Sequence, residues 1–381
     1  TGKTETMLAT LISSKCKKLL VTVPSDSLRT QISEKFITLG LLKEYEIVDE
    51  NCHNPIVGII NSGITDIGIL QTFISKTNVV VTTMDILTDS TEDAKNLFSQ
   101  EFSHLFVDEA HHSEAKTWKE LIERFDKEKV FLFTATPYRN DGKTLQGKII
   151  FNFSLRKAQE QKYYKQINYL PIREYNRKLA DEKIAERAVQ QLKEDIANGY
   201  NHIIMARCKD KPRAREVFKY YEKHEELKPI LIYTNIGGLD KKIEAIKKGE
   251  HSIIVCVNML GEGFDLPNLK IAAIHDERQS LPVTLQFIGR FTRTSYNELG
   301  NASFITNIAY PPIHEELNEL YARNADWNLI LPRLNENATQ KEIDFKDFLD
   351  GFNHLNNSII PFQSILPALS TEIYNNSTNE W

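Results

Sequence analysis

Short apolar runs alternate along the chain with amphipathic stretches of helical spacing. Residues 19–24 (LLVTVP), 79–83 (VVVTT), 102–107 (FSHLFV) and 130–133 (VFLF) each read as buried strands. Between them, residues 4–14, 26–40, a segment ending near 75 and residues 91–101 carry helical periodicity, and Ser25 or Asp26 caps the second of these helices. Residues 46–48 suggest one more short strand, with turn signals at Asn54-Pro55 and at 61–63. Residues 155–164 read as a helix, with Tyr163 and Tyr164 in its core-facing pattern, and 169–175 as an extended crossing segment. A second series follows, with strands at 202–206, 229–234, 252–257, 270–274 and 302–306 and helices near 181–198, 211–225, 239–248 and 282–290. Helices near 313–323 and 340–353 precede a Ser/Asn-rich end. Strand alternating with helix at this spacing predicts parallel, doubly wound sheets. The expected organisation is an α/β unit over residues 1–153, a connection over 154–180, a second α/β unit over 181–310 and an incomplete extension over 311–381.

Composition narrows this picture little. The 381 residues suffice for two or three cores, and hydrophobic and charged shares of 41% and 26% are those of a globular protein. A net charge of −5 excludes a histone-like nucleic-acid binder but leaves room for a locally basic cleft. Nothing approaches the apolar length needed to span a bilayer, and no signal-peptide pattern opens the chain. Cys16, Cys52, Cys208 and Cys256 are scattered without metal-site spacing, so they are expected as reduced, mostly buried thiols of a cytoplasmic protein. Tyr220 and Tyr221 read as helical core, and the lysines at 241, 242, 247 and 248 as a solvated face.

Chemistry gathers at strand ends. Gly2, Lys3 and Thr4 stand directly before a helix, where a lysine reaches β- and γ-phosphates and a hydroxyl can ligate Mg²⁺. Such a loop should follow a strand and a glycine-bearing turn, so the sequence is expected to open inside that motif. Asp108 and Glu109 end a buried strand, where one carboxylate can hold a metal and the next can activate water. Together these point to nucleoside triphosphate hydrolysis.

The motifs give the resemblance. Residues 108–111 (DEAH) resemble the DEAH box of superfamily 2 helicases and translocases, and 134–137 (TATP) their third motif. Residues 257–265 (VNMLGEGFD) resemble the fifth motif and 286–293 (QFIGRFTR) the sixth. The doubled histidine and the 155–164 segment are similar to the branch of type III restriction motor subunits and related DNA repair helicases. The resemblance implies two tandem RecA-like domains with ATP in the cleft between them. Gly2, Lys3 and Thr4 would bind the triphosphate, Thr4 and Asp108 would hold Mg²⁺, and Glu109 would be the base. Arg290 and Arg293 would reach the γ-phosphate, in register with Gln286 and oriented by Glu262 and Asp265, and Glu262, Gly263 and Asp265 would also bind the nucleotide. His111, Thr134 and Thr136 would couple the nucleotide to nucleic acid. Pro24, Ser25, Arg29, Thr82, Thr83, Arg207, Asn258 and Gly261 would grip its phosphates. DNA is expected over RNA, with a nuclease or defence-complex subunit as a further partner and no membrane. The runner-up readings are a duplex translocase that does not unwind and a non-catalytic binding fragment.

Overall fold

The computed structural model describes residues 2–110, 116–126, 129–137, 145, 147–233, 236–257, 266–276, 281–292, 299–309, 317–321 and 325–350. Two all-parallel sheets organise them. The first has strands β1 (Leu19–Val23), β2 (Val57–Ile59), β3 (Val79–Thr83), β4 (His104–Asp108) and β5 (Val130–Phe133), in the order β2-β3-β1-β4-β5. The apolar runs become β1, β3 and β4 because these strands are covered on both faces, which an unbroken apolar sequence requires. On one face, Met7 and Leu8 of the helix Lys3–Ser13 and Phe36 of the helix Asp26–Thr38 pack on Val21, Val81 and Phe106. On the other, Leu70, Ile74 and Phe98 from the helices Ile67–Ser75 and Glu92–Glu101 cover Leu20, Val80 and Leu105. Phe106 meets Phe131 and Phe133 of β5 at ring separations of 5.4 and 5.3 Å, which sets β5 against β4.

Helices begin where strands end because capping residues wait there. Ser25 Oγ accepts the Leu28 amide at 3.4 Å after β1, and Thr83 Oγ1 accepts the Ile86 amide at 3.4 Å after β3. The expected strand at 46–48 is not formed. Glu46 takes a positive φ of 55° as the chain leaves the helix Leu41–Glu44, and its amide returns to the Lys43 carbonyl. The edge strand is β2 instead, whose Gly58 lets Phe73 approach within 2.4 Å of where a Cβ would stand.

The second sheet has strands β6 (Ile167–Ile172), β7 (Ile203–Cys208), β8 (Pro229–Ile232), β9 (Ile253–Val257), β10 (Leu269–Ile274) and β11 (Ala302–Asn307), ordered β6-β11-β10-β7-β9-β8. The helices Arg177–Ala197 and Lys211–Glu222 cover one face. Leu239–Lys247, Leu281–Phe291 and Trp327–Asp350 cover the other. The segment expected as an extended crossing is extended, and it pairs in parallel with β11 as the sheet's edge. Asn328 clamps it, with its side chain accepting from the Ile167 amide at 2.8 Å and donating to the Ile167 carbonyl at 3.0 Å. The helix expected over 155–164 stops at Glu160, because Lys162 turns the chain with a φ of 61°. Tyr163 is therefore exposed rather than core. The last helix starts at Trp327, well before residue 340, and runs through Pro332. Trp327 anchors it, buried, stacked on Tyr169 at 4.7 Å and bonded to the Leu320 carbonyl at 2.6 Å. The residues 310–316 and 322–324 of the expected helix near 313–323 lie outside the described residues. Cys208 and Cys256 are buried and Cys16 and Cys52 half-buried, all four as free thiols. Among the described residues no helix is long and apolar enough to cross a membrane.

A buried ionic cluster locks two helices onto the ends of β7 and β10. Arg213 donates to Asp181 at 2.9 Å and to Asp276 at 3.2 Å, and Arg177 reaches Asp276 at 2.7 Å. His275 bridges Asp181 and the Tyr221 hydroxyl, each at 2.9 Å. Two fixed cations thereby balance two buried carboxylates. Arg213→Met should cost about 3–5 kcal/mol of unfolding free energy, since it removes the guanidinium that bridges the two buried carboxylates and leaves Arg177 and His275 to offset them. Urea titration of the variant measures this, and a loss below about 1 kcal/mol would mean the pair behaves as a solvated surface bridge.

Candidate nucleotide site

The first sheet brings one cation and two carboxylates together at its carboxyl edge. Gly2 caps the helix Lys3–Ser13 in the left-handed region (φ 68°), where glycine carries no steric cost. Lys3 is then the first helical residue, and its side chain crosses to the end of β4. Its Nζ lies 3.2 Å from Asp108 Oδ1 and also pairs with Glu109 Oε1. Asp108 closes β4, 4% exposed, and its Oδ1 accepts the Glu109 amide at 2.9 Å. Glu109 leaves the strand with a φ of 48°. A left-handed conformation costs a non-glycine residue about 1 kcal/mol, and such strain concentrates at functional sites.

Burial alone would lower the pKa of Lys3, but the charges of Asp108 and Glu109 outweigh it and hold the ammonium above its ordinary value. For Asp108, burial is the largest influence and raises the carboxyl, Lys3 opposes it, and the charge of Glu109 adds to it. The carboxylates are thus under-neutralised by one lysine, a donor set suited to a divalent cation, with the Thr4 hydroxyl on the same helix turn.

β5 supplies the neighbouring edge. Phe133 is in register with Asp108, so Thr134 and Thr136 follow beside Glu109. Thr134 Oγ1 takes the Thr136 amide at 3.1 Å, a local turn that fixes the segment. Thr136 is 1% exposed, and its hydroxyl has no hydrogen-bond partner among the described residues.

The other candidates are spread over both sheets. Pro24 and Ser25 follow β1, half-buried. Arg29 is buried, its Nη1 2.8 Å from Asp26. The Thr82 side chain is fully buried and donates to the Ile60 carbonyl at 3.2 Å, while Thr83 is a helix cap. Arg207 sits half-buried on β7. Gln286 and Arg290 stand four apart on the helix Leu281–Phe291, half-buried, while Phe287, Ile288 and Phe291 face the core. His111, Asn258, Gly261, Glu262, Gly263, Asp265 and Arg293 lie outside the described residues.

Both halves match known families. Residues 1–139 match the family "Type III restriction enzyme, res subunit", and residues 183–295 match "Helicase conserved C-terminal domain". The chain belongs to superfamily 2 of the helicases and is related to the type III restriction motor subunits. A curated relative of this superfamily 2 chain is "Putative helicase 22" of Sulfolobus islandicus filamentous virus, 24% identical over 238 residues, or 54% of this chain and 42% of that protein. Helicase Lhr of Mycobacterium smegmatis, solved with ssDNA and AMP-PNP, aligns over 86% of this chain and 45% of its own, with 14% identity and a TM-score of 0.54. The Type ISP restriction-modification enzyme LlaBIII, bound to DNA, aligns over 93% of this chain and 28% of its own, with 17% identity and a TM-score of 0.51. These structural likenesses are likenesses of fold, two RecA-like domains, and the chain spans less than half the length of each of these proteins.

Lys270 is a buried charged residue that the motifs did not mark. It sits within the apolar run of β10 and is 0% exposed. The signal available in sequence was an ionisable side chain inside a strand that must be buried.

Proposed function

We propose that this chain is the motor of an ATP-dependent helicase or translocase of the DEAH type, acting on DNA in preference to RNA, in the cytoplasm. The observation that carries the proposal is Lys3 held between Asp108 and Glu109 at the end of a buried parallel strand. Its ammonium is shared between the two acids; a triphosphate would draw it to the β- and γ-phosphates and release the carboxylates for hydrolysis. Thr4 and Asp108 would hold Mg²⁺, which when bound supplies charge neutralisation on the phosphates. Glu109 would take the proton of the attacking water. Arg290 and Arg293 would stabilise transition-state charge from the second domain, making hydrolysis depend on closure. Thr134, Thr136 and His111 would pass that change to the nucleic acid.

Pro24, Ser25, Arg29, Thr83, Arg207, Asn258 and Gly261 form the proposed grip on phosphates, which fixes position without reading sequence. Thr82 belongs to the same proposed grip, and its hydroxyl also ties β3 to the end of β2 by donating to the Ile60 carbonyl. The family match over residues 1–139 supports DNA as the track and a nuclease or defence-complex subunit as partner. The second reading is a duplex-DNA translocase that does not unwind. The test is ATPase turnover of the full-length protein with single-stranded DNA, duplex DNA and RNA. Stimulation by DNA above RNA is expected, duplex-only stimulation selects the second reading, and no stimulation by any of the three overturns the motor.

A further inference from the structure

The helix Leu281–Phe291 carries Gln286 and Arg290 and leads into Arg293. Its carboxyl end is fixed from inside the sheet. Lys270 lies at an irregularity in the β10–β7 pairing, where Leu269 pairs with Ile203 and Ile271 with Ile204. The additional residue re-aims its side chain, as bulged residues do. Lys270 Nζ donates to the backbone carbonyl of Phe291 at 2.7 Å, the last residue of the helix. That carbonyl belongs to the turn whose acceptors have no partner within the helix, and a cation at a helix carboxyl end is favoured by the aligned peptide dipoles. The next residue is held as well. The Thr292 carbonyl accepts the Lys165 amide at 2.9 Å, and its hydroxyl donates to Ile288 at 3.1 Å.

A fully buried lysine is costly to maintain. Burial, followed by the nearby charge of Lys165, pushes its pKa down to about 8. Phe287 and Phe291 of the same helix pack on Phe304 of β11, an apolar contact that already binds the helix to the sheet. The lysine adds something an apolar residue would not, a directed bond to the peptide that separates Arg290 from the exit of the chain.

We infer that Lys270 is a positioning residue for the arginine-bearing helix, setting its end at Phe291 and so the placement of Arg290 toward the γ-phosphate. The inference rests on the proposed role of Arg290 in ATP hydrolysis. It assigns Lys270 no contact with ATP or with nucleic acid.

The experiment compares wild type, Lys270→Met and Lys270→Arg in the full-length protein, reading kcat and KM for ATP at saturating DNA together with the thermal midpoint. Methionine matches the length and removes the bond and the charge. The expected result is a kcat lower by about 10- to 100-fold, as for a misplacement of about 1 Å at a reacting centre, with KM within about twofold. The thermal midpoint should be unchanged or higher, because a buried charge has been replaced by a packed apolar group. Lys270→Arg, which keeps a charged donor, should restore most of kcat. A kcat within about twofold of wild type in folded Lys270→Met overturns the inference. So does a joint fall of kcat and thermal midpoint, which marks a structural role. If the methionine variant does not fold, inactivity of a folded arginine variant overturns it, and failure of both variants to fold makes Lys270 structural. Wild type without DNA-stimulated turnover overturns the motor reading instead.

Discussion

Glu109→Gln should lower ATP turnover by about 10²- to 10⁴-fold while nucleotide binding persists, the loss typical of removing a positioned general base. The substitution conserves shape at a residue whose backbone is held in the left-handed region and whose amide is tied to Asp108. The neutral side chain still leaves Lys3 paired with Asp108, so the helix Lys3–Ser13 and β4 stay coupled. What is lost is the charge that would accept a proton from water. A filter assay for bound nucleotide beside a phosphate-release assay separates the two effects. Retained turnover would remove Glu109 from the base role, and joint loss of binding and turnover would make it a binding residue.

Much of this fold was legible because both sheets are parallel and buried. Such strands must be apolar on both faces, so β1, β3 and β4 stand out as apolar runs, whereas β5, expected to be buried, is half-buried at the sheet's edge. The failures have local physical causes. β2 has only three residues, one of them glycine, at the sheet's edge, where little burial enforces a pattern. The 46–48 segment has the residue types of a strand but follows a short helix whose last turn claims its amides. The helix through Pro332 persists because tertiary contacts around Trp327 outweigh the local penalty of proline. Asn328, which ties the last helix to β6, could not be foreseen, since its contact spans more than 150 residues.

The site was legible in a different way. Lys3, Asp108 and Glu109 were joined in sequence reasoning by the chemistry of phosphate transfer, and the structure places the three side chains in contact. Residues whose importance comes from burial carry only a weak signal in the sequence. Lys270 reads as the polar start of a strand until the bulge turns it inward. Asp181, Arg213 and Asp276 read as ordinary helix and turn charges, though their cluster joins two helices to the strand ends. Several motif residues suited to phosphate contact proved to have structural duties as well. Thr82 supports β2, and Ser25 and Thr83 begin helices.

Lys3→Met should abolish ATP binding and also weaken the fold, and the two losses can be separated. Lys3, Asp108 and Glu109 have side chains only 16%, 5% and 13% exposed, so the lysine neutralises two nearly dry carboxylates. Removing it leaves both without that compensation, at a cost of about 3–5 kcal/mol in the nucleotide-free state. Nucleotide affinity should fall by about 10²-fold or more, because a buried charged hydrogen bond to phosphate is lost. Adding Glu109→Gln removes one of the two carboxylates. The double variant should then regain about 1–3 kcal/mol relative to Lys3→Met, the coupling expected of residues in one ionic cluster, while ATP binding remains absent. Urea unfolding of the four proteins in the cycle measures the coupling, and titration with a fluorescent ATP analogue measures the affinity. An additive cycle would mean that the Lys3–Glu109 contact contributes nothing to the folded state. Restored nucleotide binding in the double variant would mean that electrostatic repulsion by Glu109, and not the loss of the lysine's grip on phosphate, had blocked the site.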